Sequence, residues 1–366
     1  MSDRIAILLA GNKMTGDTRV IFNLAEGLIA RGFEIDLLLA SSAQFVLSDL
    51  SKQVNVIDLQ TPVTARTSSM IKLLFPLLHY LRRVQPKTLI SNLCFANAIV
   101  TLSKFLTFPA PKLVLVEHLA LSTDEHDGEP HSKLLPLLIR VLYPHADAVI
   151  SVSQQIGAEL RSKYNLTNVL AIANAVVNSR LTEQAQSDLD HPWFASDEIP
   201  VFLGAGRFAA QKDFTTLIRA FSILRQEMPA RLVILGDGAL RSQLEAQIQS
   251  LGLQADVELP GFVYNPYQYM SRATAFVLSS RWEALPTVLI EAMACGCQVI
   301  ATQCRSGVDE ILSGGEFGQI VPIADPVAMA AAMKNSIQHP ISPRLLKFRA
   351  DDFSIEQAVD RYLEVI

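Results

Sequence analysis

The chain has 366 residues, half of them apolar and only 18% charged, with a formal net charge of −5. Such a sequence excludes a largely disordered protein and has room for two domains of ordinary size. Its acidic balance offers no basic footprint for nucleic acid.

MSDRIAILLAG passes from a charged start straight into a short apolar run, so no cleaved leader is expected. Strand-like runs then alternate with helix-period segments: RIAILLA (4–10), FEIDLLLA (33–40), KTLISNL (87–93), KLVLVEH (112–118) and DAVISVS (147–153). Between the first two, Val20, Leu24 and Leu28 recur every four residues, and Gly32 follows as a stop signal. Near-continuous apolar strands separated by helices predict parallel sheets covered on both faces. The longest uncharged stretch near membrane length, TLISNLCFANAIVTLS (88–103), is too short to span and contains two Asn. A cytoplasmic protein is therefore expected.

Charge is unevenly placed. From Leu59 to Val116 there is no Asp or Glu, whereas Arg66, Lys72, Arg82, Arg83, Lys87, Lys104 and Lys112 are present. The run MIKLLFPLLHYLRRVQPK (70–87) adds a dense apolar component. Segment 66–87 thus has two readings. One is peripheral contact with an anionic membrane at its inner face, or with a lipid-linked acceptor. The other is a helix packing Leu73, Leu74, Leu77, Leu78 and Leu81 into the core, with Pro76 near its middle.

A polar, acidic stretch, NSRLTEQAQSDLDHPWFASDEI (178–199), separates this half from a second round of alternation. It reads as a linker over 181–199 between an N-terminal domain of 1–180 and a second domain. Its DLD (188–190) fits an Asp-x-Asp metal motif but is expected to be a solvated part of the linker. The later strand-like runs are PVFLGAG (200–206), RLVILGDG (231–238), DVELPG (256–261), TAFVLSS (274–280) and QVIAT (298–302). Ligands in such folds bind beyond the carboxyl ends of the strands, and two facing domains place that site between them.

GAGRFAAQK (204–212) sets two glycines and two cations, Arg207 and Lys212, at a strand end. Gly204, Gly206 and Ala209 also fit a dinucleotide pattern, which expects an acid about 20 positions on; Glu227 is the loose candidate. Gly261 in LPGFVYN (259–265) ends another strand, where a base could pack against the backbone and Val263. EALPTVLIE (283–291) holds two glutamates eight apart, too far out of phase for one helix face. Pro286 suits a helix start, which places Glu283 on the preceding loop and Glu291 inside the helix. The backbone N–H groups of Thr287, Val288 and Leu289 between them would form an anion site. Cys94, Cys295, Cys297 and Cys304 lack a fourth clustered ligand or a nearby His in sequence, so reduced, buried thiols are expected rather than zinc.

Taken in order, GRFAAQK, LVILGDGALR, LPGFV, the Glu-x7-Glu pair, EAMACGCQVIAT and GVDEILSGGEFGQIVPIADP resemble the retaining glycosyltransferases of family four. The resemblance covers most of the chain and is strongest over 200–325. It implies the GT-B fold: two facing Rossmann-like α/β domains, the second over 200–345, with a donor cleft between them. DDFSIEQAVDRYLEVI (351–366) looks like the family's C-terminal helix, so 346–366 would return to the first domain.

The implied reaction moves a hexose-type sugar from a nucleoside-diphosphate sugar, UDP-sugar favoured and GDP-sugar second, to a glycan, lipid-linked or small-molecule acceptor. Anomeric configuration would be retained. No metal or cofactor is implied, since cationic side chains neutralise the diphosphate. Arg207 and Lys212 would hold the diphosphate, Thr287 and Val288 would add backbone donors, and Glu291 would accept the ribose hydroxyls. Glu283 would contact the transferred sugar, and Gly16 in NKMTGDTRV (12–20) would approach the donor phosphate. His118 in VLVEHLA (114–120) matches the family's cleft histidine. Three positions depart from the pattern: Thr15 and Thr18 replace a common glycine and a common acid, and Ala284 replaces a frequent glycine, which strains the chain if φ is positive there. Competing readings are a sugar-nucleotide 2-epimerase of similar fold, an NAD-dependent oxidoreductase and a non-catalytic nucleotide-sugar sensor.

Overall fold

Residues 3–10, 16–41, 50–61, 71–118, 134–196, 198–304 and 307–366 are described by this computed structural model. They fall into two units, Met1–Val176 with Ile355–Ile366 and Val177–Ser354.

Seven parallel strands form the sheet of the first unit: β1 (Arg4–Leu9), β2 (Glu34–Leu39), β3 (Asn55–Asp58), β4 (Thr88–Asn92), β5 (Lys112–Glu117), β6 (Ala148–Ser151) and β7 (Val169–Ala171). Their order is β3-β2-β1-β4-β5-β6-β7. β1, β2, β4 and β5 are buried almost throughout, which is why their sequences read as unbroken apolar runs. The helices are α1 (Gly16–Ala30), α2 (Leu74–Val84), α3 (Cys94–Phe105), α4 (Leu135–Leu142) and α5 (Gln154–Tyr164). β1 to β2 steps one way across the sheet and β4 to β7 the other. Right-handed crossovers therefore put α1 on one face and α3, α4 and α5 on the opposite face. α2 packs beside α3, and α3 beside α4.

A 3-10 turn, Ile71–Leu73, precedes α2, so Pro76 lies in the first helical turn rather than mid-helix, where its missing N–H breaks no ladder bond. Leu73, Leu77, Leu78 and Leu81 are buried as the core-packing reading expects, whereas Leu74 is only half-buried. Tyr80 anchors this helix by donating to Asp36 Oδ2 at 2.6 Å inside the sheet. Residues 66–70 of the basic segment lie outside the described residues.

Six parallel strands build the second unit: β8 (Val201–Ala205), β9 (Arg231–Leu235), β10 (Val257–Gly261), β11 (Ala275–Leu278), β12 (Gln298–Thr302) and β13 (Gln319–Val321), in the order β10-β9-β8-β11-β12-β13. Its helices are α6 (Ser179–Ala185), α7 (Phe214–Glu227), α8 (Arg241–Ser250), α9 (Tyr267–Met270), α10 (Thr287–Ala294), α11 (Val308–Leu312), α12 (Pro326–Gln338) and α13 (Pro343–Ala350). The stretch read as a linker over 181–199 is built into this unit. Asn178 caps α6, and Asn265 and Ser271 bond to its end through Gln184 O and Ala185 O at 2.9 and 2.8 Å. Its Asp188 and Asp190 are exposed.

The last helix, α14 (Ile355–Leu363), belongs to the first unit and packs on α1. Gly27 permits the approach: a Cβ there would sit 2.4 Å from Ile355 Cγ2 and 2.6 Å from Val359 Cγ2. Arg31 pairs with Asp360 alongside. Among the described residues no helix is long and apolar enough to cross a membrane.

Candidate functional site

In the second unit the strand order reverses between β8 and β11, and the loops that follow these two strands meet. Past β8 the chain makes a 3-10 turn, Ala210–Lys212; past β11 it runs through Ser279–Pro286 into α10. Hydrogen bonds join the two loops. Arg281 N donates to Gln211 O at 2.8 Å, Gln211 Nε2 to Trp282 O at 3.0 Å, Ser279 Oγ to Lys212 O at 2.7 Å and Arg281 Nε to Asp213 Oδ2 at 3.0 Å. The result brings Lys212 Nζ to 2.5 Å from Glu283 Oε1. Ser280, fully buried, donates its hydroxyl to the same oxygen at 2.6 Å. Thr302 Oγ1 in turn donates to the Ser280 carbonyl.

Glycine is required where these loops cross the next strand end. Gly236 has φ 128°, and a Cβ there would lie 2.0 Å from the Gly206 carbonyl oxygen. Phe208, fully buried, packs edge-on to Phe214 at 5.5 Å and anchors the loop that carries Arg207. Arg207 itself is exposed, with no side-chain partner among the described residues. A free guanidinium thus stands on the same loop as the paired Lys212.

Thr287 and Val288 open α10, whose N-terminus has no side-chain cap and no acid in its first turn. The N–H groups of Thr287 and Val288 are thus left to favour an anion, whereas Leu289, expected to join them, donates its N–H to Pro286 O at 3.0 Å. Ala284 lies outside the left-handed region, so the alanine carries no strain. Glu283 is on the loop and Glu291 inside the helix, the arrangement that Pro286 implied. Glu291 is buried, with Tyr267 Oη 3.5 Å from Oε1. Burial, and then the Glu291 charge, push the neighbouring Cys295 thiol up to about 12. Val263 is half-buried just past β10, two strands from β8. Glu227, the acid a dinucleotide reading needs, pairs instead with Lys334 at 2.6 Å at the far end of α7.

Gly16 and His118 belong to the first unit. Gly16 begins α1, beyond β1; Thr15 lies outside the described residues, and Thr18 is buried within α1. His118 follows β5 and is buried, with Nε2 donating to Asn92 Oδ1 at 3.1 Å from the end of neighbouring β4. Leu93, next to Asn92, has φ 84°, a left-handed conformation unusual for a branched side chain. Beneath His118, Glu117 is fully buried and accepts from Tyr143 Oη at 2.8 Å; burial, then the Glu117 charge, hold that phenol well above its ordinary value.

Sequence reading named Lys212 and Glu283 without seeing that they pair, and it missed Ser280 and Asn92. Ser280 had a signal, a serine three residues before a loop glutamate. Asn92 had none, because its partner is 26 residues away.

Two family models match the chain: Glycosyltransferase Family 4 over residues 14–180 and Glycosyl transferases group 1 over 187–351. An N-acetylgalactosamine-N,N'-diacetylbacillosaminyl-diphospho-undecaprenol 4-alpha-N-acetylgalactosaminyltransferase from Campylobacter jejuni is 27% identical over 328 residues, 88% of this chain and 87% of the relative. Sucrose-phosphate synthase from Thermosynechococcus elongatus superposes with a TM-score of 0.82 at 21% identity, covering 99% of this chain and 98% of that one. HepE from Anabaena, solved with UDP-glucose, superposes at 0.77 with 19% identity over 99% of this chain and 100% of its own. The fold is the GT-B fold of these glycosyltransferases.

Proposed function

Because the chain belongs to the glycosyltransferases, family 4 in its first half and group 1 in its second, we propose that it transfers a hexose-type sugar from UDP-sugar to a lipid-linked glycan with retention of configuration. The observation that carries the donor half is the Lys212–Glu283–Ser280 constellation at the reversal of the second sheet. UDP is favoured over GDP because a full-length structural neighbour was solved with UDP-glucose. The relative whose name specifies a diphospho-undecaprenol substrate supports a lipid-linked acceptor.

In this reaction the bond from the anomeric carbon to the diphosphate oxygen breaks and a bond to the acceptor oxygen forms on the same face. The acceptor proton passes to the departing phosphate oxygen. Negative charge grows on the diphosphate, and Lys212, Arg207 and the Thr287 and Val288 N–H groups oppose it. Glu283 binds sugar hydroxyls and stabilises the positive charge that develops on the ring. Glu291 accepts the ribose hydroxyls, and Val263 packs against the base. By the family resemblance, Gly16 is assigned to the donor phosphates and His118 to the transferred sugar.

The test is calorimetric titration with UDP, GDP, ADP and NAD, repeated on Glu291→Ala. UDP is expected to bind, with the substitution weakening it by about tenfold or more, the value of a charge-assisted hydrogen bond. Binding of NAD in place of the diphosphates would sink the proposal. The anomer of the product, read by NMR, tests retention separately.

A further inference from the structure

We infer that the outer face of α2, α3 and α4 docks the first unit onto an anionic lipid bilayer. Among the described residues, every exposed large apolar side chain of this unit lies on these helices or within three residues of their ends. Ile71 and Phe75, four apart, point outward at the start of α2, with Phe75 76% exposed. Leu137 and Val141, also four apart, do so on α4. Between these helices the end of α3 and its loop project Phe105 and Phe108, the latter 95% exposed. The opposite face, covered by α1 and α14, exposes no such side chain among the described residues.

The charges on this face identify its occupant. α2, α3 and α4 contain no Asp or Glu. Lys72, Arg82, Arg83, Lys112 and Arg140 are exposed around the apolar residues. Asp147, just beyond α4, is paired with Lys104 at 2.6 Å. Two copies of such a face would set cation against cation, which disfavours a symmetric dimer. Lipid headgroups of negative charge complement it, while the phenylalanines enter the acyl boundary. Sequence alone marked only 66–87; the fold adds α4 and the α3 terminus, which lie up to about 55 residues further on.

This inference deepens the lipid-linked acceptor of the proposed function, but it is read without turnover. The full chain is floated with phosphatidylcholine vesicles, with and without phosphatidylglycerol. Binding is expected only to the anionic vesicles. Arg82→Gln with Arg83→Gln should weaken it about 20–30-fold, since each cation near the surface contributes roughly fivefold. Phe105→Ser with Phe108→Ser should weaken it more than about tenfold through lost apolar burial. Circular dichroism and UDP titration should stay at wild-type values, and thermal unfolding should fall only slightly, through loss of the Arg82 bond to Leu106 O and the Phe105 edge contact with His145. Equal binding to neutral vesicles, no binding at all, or insensitivity to both pairs would overturn the inference. So would a lipid-free dimer that the phenylalanine pair dissolves. Because UDP binding is measured on the same preparations, failure of this face and failure of the donor site are distinguishable.

Discussion

With Lys212 as the proposed diphosphate ligand, donor binding and protein stability share one cation in the Lys212–Glu283 pair, so mutating its two members should give opposite signatures. The charges lie 2.5 Å apart, with side chains 18% and 10% exposed. At an effective dielectric near 20 their gross attraction is roughly 6–7 kcal/mol, much of it offset by the cost of desolvating both groups. A net contribution of about 1–3 kcal/mol remains. Lys212→Ala removes the cation and leaves Glu283 bonded by Ser280 alone, so urea unfolding should report a loss of that size. The same change removes a proposed diphosphate ligand, and UDP affinity should fall about 10–100-fold. Glu283→Gln acts the other way on UDP, which carries no sugar. It releases Lys212 from its partner and deletes a nearby negative charge, so UDP affinity should hold or rise by a few fold. Turnover, which in the proposed reaction needs the carboxylate beside the sugar, should drop by about 10²–10³. Calorimetry and urea titration on both single variants and the double complete the cycle. Equal losses of UDP affinity in the two single variants would refute the reasoning, as would a coupling within error of zero.

Ser280→Ala should lower kcat by about tenfold and leave the UDP Kd unchanged, because its hydroxyl orients Glu283 rather than the diphosphate; Ser280→Thr should recover part of the loss, and a change confined to Tm would reduce Ser280 to a structural role. Gly27→Ala should cost about 1–3 kcal/mol in urea unfolding, since the new methyl collides with Ile355 and Val359 on α14. The Cys295 thiol, raised to about 12 by burial and then by Glu291, should resist alkylation at pH 8 in the folded protein and react readily in urea. The sign follows from the folded value lying above the unfolded one of ~8.5: this thiol stays protonated on folding, and its contribution to stability declines only as pH rises past the unfolded value.

How much of this was legible in the sequence depended on where each element sits. Central strands such as RIAILLA and KLVLVEH announce themselves because both faces are buried. β3, β7 and β13 did not, and all three lie at sheet edges, where strands of three or four residues bury less and give too short a pattern to read. Pro286 correctly divided the two glutamates between loop and helix, because proline constrains its own neighbourhood. Pro76 was misplaced because the start of α2 depends on a 3-10 turn that apolar spacing does not mark. By itself the amino-acid sequence determined the alternation of apolar strands and helices, the positions of the glycine and proline signals, and the residue types available for a diphosphate and a sugar, all properties of near neighbours in the chain. Only the tertiary structure decided that Lys212 and Glu283, 71 residues apart, share one oxygen with Ser280, that α14 returns to α1, and that three acid-free helices gather on one face. Strand order and crossover hand bring distant segments together, and no local pattern encodes them.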